Sequence, residues 1–229
     1  MQPLIPNLHP KSCHGAAVFN DLTRRLQEGR SPEALLLKGA LLGKAPQFLA
    51  HMAAKGELLT MQTLGAMVPA YEANAPFSEY AGLEEAVVAH GIKHLIVCGH
   101  TPSRIILELV KHGVLNQSAG LSLVPPLWYQ LAQPTIHLLK THYASYPLET
   151  LVDVAVQEHT LVQLDQLMSY PFIAQRVLSG ALNLHAWLYD TKQQHLYTYR
   201  PAAQQFYPFT LDTRPQKNTT VVHMPKRYR

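Results

Sequence analysis

The stretch HLIVCGHTPSRI, residues 94–105, concentrates side chains whose types and spacing could do chemistry. An apolar run ends in Gly99-His100 and turns directly into a helical pattern. His100 therefore stands at a strand-to-helix corner, where an imidazole can ligate a metal or move a proton. Cys98 shares its strand face by the period of two, and Ser103 follows three residues later across the corner. Cysteine with histidine is a zinc-donor pair, and serine with histidine is the start of an activated nucleophile. The first needs a further donor, and the second needs a hydrogen bond that this spacing does not guarantee. The preferred readings are plainer: a buried thiol that packs as a small apolar group, and a hydrogen-bonded, partly buried histidine.

Several elements must hold this corner. Residues 16–29 place Val18, Leu22 and Leu26 at helical spacing and stop at Gly29. ALLLKGALLG (34–43) is short and apolar enough for a buried strand, although its Leu and Ala content would also suit a helix; APQFLAHMAAKG (45–56) is helical, and ELLTMQTLGAMVP is a second short run closing at Pro69. SEYAGLEEAVVAHG reads as a helix with Leu83, Ala86, Val87 and His90 on one face, leading into the strand KHLIVCGH. Thr101 is expected to cap the next helix with Pro102 at its first position and Ile105, Ile106, Leu109 and Val110 as its buried stripe. SLVPPLWYQLAQP reads as a loop, followed by helices over 134–145 and 148–169. ALNLHAWLYD and QHLYTYRP form a β-hairpin through a short turn, packed by Trp187, Tyr189, Tyr197 and Tyr199. The alternation of strands and helices predicts a mostly parallel sheet flanked by helices.

With 229 residues and 47% hydrophobic content, one domain over 1–207 suffices, with an N-terminal arm (1–15) and a polar, basic tail (208–229). The formal charge of +4 comes from only 15% charged residues, with no basic run before Lys226, Arg227 and Arg229, so nucleic-acid binding is not expected. No apolar stretch approaches the ~20 residues of a membrane span. MQPLIPNLHPKSCHG lacks the order of a secretory signal, and Cys13 and Cys98 are the only cysteines, so a reducing, cytoplasmic setting is expected.

Three stretches, GELLTMQTLGAMVPAYEAN, GIKHLIVCGHT and VQLDQLMSYPFIAQRVLSGALNLHAWLYDTKQQHLYTY, resemble the β-class carbonic anhydrases, in particular the cyanobacterial and carboxysomal branch. The resemblance spans roughly residues 18–207. It implies that family's fold, with an N-terminal helical arm and a C-terminal β-hairpin.

Family members hold zinc with two cysteines and a histidine, leaving one tetrahedral position for a water acidified towards pH 7. Counting back from GELL, the family's Cys-x-Asp-x-Arg motif falls on Ala40, Leu41, Leu42, Gly43 and Lys44. The first ligand is thus alanine, and the Asp-Arg pair is leucine and lysine. The Gly-His-x-x-Cys motif is GHTPS, in which His100 remains and Ser103 replaces the thiolate. A hydroxyl does not ionise near neutral pH, so it is a poor zinc donor. The family's Arg-Asn-Ala-Gly-Asn stretch has become Gln62, Thr63, Leu64, Gly65 and Ala66.

The expectation is a pseudoenzyme without zinc, in which Ala40, Leu42, Lys44 and Ser103 are degenerate positions and His100 a residual ligand. It would act in assembly or regulation as a homodimer or larger homo-oligomer, or with an active carbonic anhydrase or a carboxysome-type protein. Two alternatives stay open. One is an enzyme with a rebuilt site, drawing on Cys98 and histidines such as His51, His90 and His94, or on the Ser103–His100 pair. The other is a metal-free bicarbonate sensor, with Lys44 and Arg104 as anion-binding candidates beside a helix N-terminus; the preferred reading of both is a solvated charge.

Overall fold

The computed structural model describes residues 34–39, 58–72, 78–117 and 126–209. Ala40, Leu42, Lys44 and His51 lie outside the described residues. So do the arm, the helices expected over 16–29 and 45–56, and the tail from residue 210.

Six strands form one sheet in the order β2-β1-β3-β4-β5-β6. They are β1 (Ala34–Gly39), β2 (Leu58–Thr63), β3 (His94–Thr101), β4 (Asn183–Asp190), β5 (His195–Arg200) and β6 (Gln205–Pro208). β1 pairs in parallel with β2 and β3, and β3 with β4, while β5 and β6 add an antiparallel edge. The central strands read as continuous apolar runs because both of their faces are covered, as parallel strands require. Leu36, Leu37, Leu95, Ile96 and Val97 are each at most 1% exposed.

Alternation along the strands separates two clusters. Leu35, Leu37, Leu95, Val97, Leu184 and Leu188 pack with the described helices in the larger one. Ala34, Leu36, Ile96, Cys98, Trp187 and Tyr189 form a smaller one on the other face. Tyr197 belongs to the larger cluster and Tyr199 stacks near Phe206 at 5.3 Å, so the four hairpin aromatics pack on both faces and do not form a cage.

The helices are α1 (Ser78–Glu84), α2 (Arg104–Glu108), α3 (Pro126–Leu131), α4 (Gln133–His142), α5 (Leu148–Met168) and α6 (Pro171–Leu178). α1 and α2 each run on into a wider turn, over Glu85–Ala89 and Leu109–Val114, closed by His90 N to Glu85 O and Leu115 N to Val110 O at 3.0 Å. Ile105, Ile106, Leu109 and Val110 are buried as their spacing requires.

Three local expectations fail. Part of the expected loop 122–134 is helical, because Pro126 and Pro134 sit at or near helix starts, where the missing N–H has no partner to lose. Pro171 opens α6 for the same reason. Ser103, and not Thr101, caps α2, so Pro102 precedes the cap; the Thr101–Pro102 peptide is cis. At the C-terminal side, β6 runs through Pro208, and Phe209 N donates to Leu196 O at 2.6 Å, two residues past the boundary drawn at 207.

Candidate functional site

From β1 the chain goes outward to β2 and then returns across β1 to β3. The carboxyl ends of β1 and β3 therefore flank a topological switch point, the place where open α/β sheets leave a crevice for ligands. Gly39 and His100 stand at those ends. A Cβ on Gly39 would lie 3.1 Å from His100 Cε1 and 3.7 Å from Ala66 N, so the end of β1, the end of β3 and the loop after β2 converge. Glycine at position 39 is what lets the imidazole lie there.

His100 is 7% exposed, and burial lowers its pKa, which keeps the ring neutral. Behind it, a Cβ on Gly99 would collide with the Thr160 hydroxyl on α5 and touch Val156, so the glycine sets how closely β3 lies on α5. Ser103 is 3% exposed, and its Oγ accepts from Ile106 N at 3.4 Å, satisfying one of the orphan amides of α2. Arg104 opens α2 from an exposed position. Among the described residues no hydrogen bond joins Ser103 to His100.

The loop after β2 is held in an unusual backbone state. Gly65 and Ala66 have φ of +70° and +62°, and the second is costly for a residue with a Cβ. A Cβ on Gly65 would press on Trp128 at 3.3 Å and Ile105 at 3.4 Å. The long helix α5 pins this loop through polar side chains on its buried faces. His159 Nε2 donates to Gly65 O at 3.2 Å, which leaves Nδ1 to accept from the Thr135 hydroxyl at 2.9 Å. Gln163 Oε1 accepts from Val68 N at 2.8 Å. Tyr170 OH donates to Pro69 O at 2.9 Å, and Thr63 closes the turn by donating to Met67 O at 2.8 Å.

Sequence reasoning missed these staples. Their signal was the polar run Gln157-Glu158-His159-Thr160 and Gln163 inside a helix that is apolar on both sides; all five residues are at most 3% exposed. Burial pushes the His159 pKa down to about 4, opposed by its bond to Gly65.

The other candidate donors lie elsewhere. Cys98 is fully buried in the second-face cluster, and burial pushes its thiol up to about 12 despite Lys38 nearby, so it is not a thiolate at neutral pH. His90, expected on the apolar face of its helix, is instead exposed, 3.9 Å from Glu85, because it follows the wider turn that ends the helix. His94 opens β3, six residues from His100, or about 20 Å along a strand. Of the three zinc-donor positions that the resemblance implies, the described ones supply one imidazole and one hydroxyl engaged as a helix cap, a poor fit to a divalent ion. Among the described residues, no three His, Cys, Asp or Glu side chains group as metal ligands. No helix among them is long and apolar enough to cross a membrane.

A mixed sheet in this order, helices on its larger cluster and a Gly-His corner at the switch point define a β-carbonic anhydrase fold. The carbonic anhydrase family model matches residues 45–196. The chain belongs to that family. It is 29% identical over 192 residues to a carbonic anhydrase of Synechococcus elongatus, covering 84% of this chain and 69% of that one. With a carbonic anhydrase of Synechocystis it shares 31% over 206 residues, 90% of this chain and 73% of the relative. Among solved structures, the β-carbonic anhydrase CcaA superposes with a TM-score of 0.67 at 28% identity, covering 83% of this chain and 90% of that chain. A tetrameric β-carbonic anhydrase of Sordaria macrospora shares the fold with a TM-score of 0.56 at 18% identity, covering 76% and 84%.

Proposed function

We propose that this chain keeps the carbonic anhydrase fold without holding zinc at the His100 crevice and without hydrating CO2, and that it acts in assembly or regulation through its surfaces. The observation that carries the reading is Ser103. It occupies the position where the family resemblance calls for a thiolate, and its hydroxyl is committed to capping α2 at Ile106 N. A neutral imidazole then remains as the one nitrogen donor described at the crevice. A single imidazole does not retain a divalent cation against water, whereas two thiolates and an imidazole do. Alanine at position 40 removes the other sulfur.

The partners that fit this role are a second copy of the chain, an active carbonic anhydrase or a carboxysome-type protein. The Sordaria relative, described as tetrameric, supports assembly as a property available to this fold. The experiment is stopped-flow CO2 hydration by the purified chain and its His100→Ala variant, with zinc counted in both. No hydration above buffer is expected. Hydration that disappears with His100→Ala, together with zinc lost in that variant, overturns the reading. Light scattering at micromolar concentration tests the assembly half: a dimer or larger species is expected, and a monomer rejects it.

A further inference from the structure

The sheet carries a second imidazole constellation at its opposite end. His94 opens β3 and His185 is the third residue of β4; His94 pairs with Asn183 and Ile96 with His185, so the two histidines lie on one face, diagonal across neighbouring strands. His94 Nδ1 and His185 Nε2 are 3.2 Å apart, with ring centroids at 5.4 Å and planes inclined by 38°. His94 is 5% exposed, and His185 keeps partial access to solvent.

Facing nitrogens at this separation suit more than a hydrogen bond. A zinc ion about 2.0–2.1 Å from each of two nitrogens 3.2 Å apart subtends about 100°, between the square-planar and tetrahedral angles. Neutral imidazole is the ligating form. Ligation uses both facing lone pairs, so the ring that donates in the present contact must carry its proton on its other nitrogen. Imidazole nitrogens select zinc, copper and nickel over the hard cations.

We propose that His94 and His185 chelate one divalent late transition ion at the amino end of the parallel strands, with water completing its coordination. This site is separate from the His100 crevice and independent of the proposal that the crevice is zinc-free. It also alters how metal analysis must be read, since zinc bound here would say nothing about hydratase chemistry.

The test is calorimetric titration of the EDTA-stripped full chain with Zn2+ alone, alongside His94→Gln, His185→Gln and His100→Gln. One equivalent is expected, weakened at least tenfold by either of the first two changes and unaffected by the third. No binding by the native chain, or binding that both His94→Gln and His185→Gln leave intact, overturns the proposal. Binding lost only with His100→Gln overturns it and the zinc-free crevice together. Because the substitutions disturb a packed pair, a zinc-soaked crystal gives a second readout. An anomalous peak between the two rings supports the site, and none there at millimolar zinc rejects it.

Discussion

Replacing His159 with leucine tests whether polar staples on α5 hold the loop at the crevice. The side chain is 2% exposed, donates to Gly65 O at 3.2 Å and accepts from Thr135 at 2.9 Å. Leucine keeps most of the volume and makes neither bond. Each buried partner left unsatisfied costs about 1–3 kcal/mol, and the Thr135 hydroxyl can turn to a carbonyl one helical turn back, so the expected loss is about 2–4 kcal/mol. That is a large part of the ~5–15 kcal/mol by which domains are stable.

The pH dependence gives an independent check. Because the folded-state pKa is about 4 against an ordinary 6.5, the unfolded chain takes up a proton that the folded chain refuses as pH falls below 6.5. This contribution is fully present above pH 6.5 and is lost progressively towards pH 4. Between pH 8 and pH 5 the loss amounts to about 2 kcal/mol at 1.36 kcal/mol per pH unit. Urea unfolding followed by circular dichroism at pH 8 and pH 5, at one protein concentration, should show the native-to-variant gap shrinking by that amount. Amide exchange at residues 64–68 should also speed up in the variant. A gap below about 0.5 kcal/mol at pH 8, well under the unsatisfied-group cost, or one equally wide at both pH values, refutes the reasoning.

Ala66 holds φ at +62°, so Ala66→Gly should stabilise by about 1 kcal/mol after the added freedom of the unfolded chain is counted, read as a higher urea midpoint. Gly99→Ala should cost about 1–3 kcal/mol through its collision with the Thr160 hydroxyl, and adding Thr160→Ala should recover part of it in a double-mutant cycle. Glu108 is 6% exposed and its Oε2 has no hydrogen-bond partner among the described residues, so Glu108→Gln should stabilise by about 1 kcal/mol. The same change should lower the Tyr129 phenol pKa, which burial and then Glu108 hold up, as read by ultraviolet titration. Cys98, with its thiol at about 12, should react with a thiol reagent only on unfolding; fast labelling of the native chain at that residue would contradict its burial.

The parts of the fold legible in sequence were those whose pattern is set by burial on known faces. β1 and β3 announced themselves as apolar runs between Gly or Pro signals, and α5 was placed within a residue at either end. The Gly-His corner was legible as a strand end turning into a helix, whereas the switch point beside it follows only from the strand order. What escaped were features decided by geometry beyond the local pattern. Pro126 signalled interruption within the expected loop, yet it opens a helix, where proline is tolerated. The cap of α2 fell to Ser103 instead of Thr101, a two-residue difference that composition does not decide. The staples from His159 and Gln163 join residues 94 and 95 positions apart, and no local signal names such partners.

The backbone of that loop is held independently of the residues at the crevice. Its left-handed pair includes Ala66, which lacks the tolerance of positive φ that glycine or asparagine has. The cost is carried by bonds from α5 and from Tyr170, none of which touches the zinc-donor positions. Gly39 and Gly99 likewise keep the spacing of β1, β3 and α5 around an imidazole whatever that imidazole binds. Serine at position 103 serves the scaffold as a helix cap, its hydroxyl taking up the orphan amide of Ile106. The scaffold and the donor set are therefore separable: the first rests on packing and on polar staples along α5, the second on two or three exchangeable side chains at the strand ends. Ser103→Cys should accordingly leave the fold intact at a cost of about 1 kcal/mol in lost capping, and thermal melting checks it. A collapse of the fold on that single change would show that cap and scaffold are one unit.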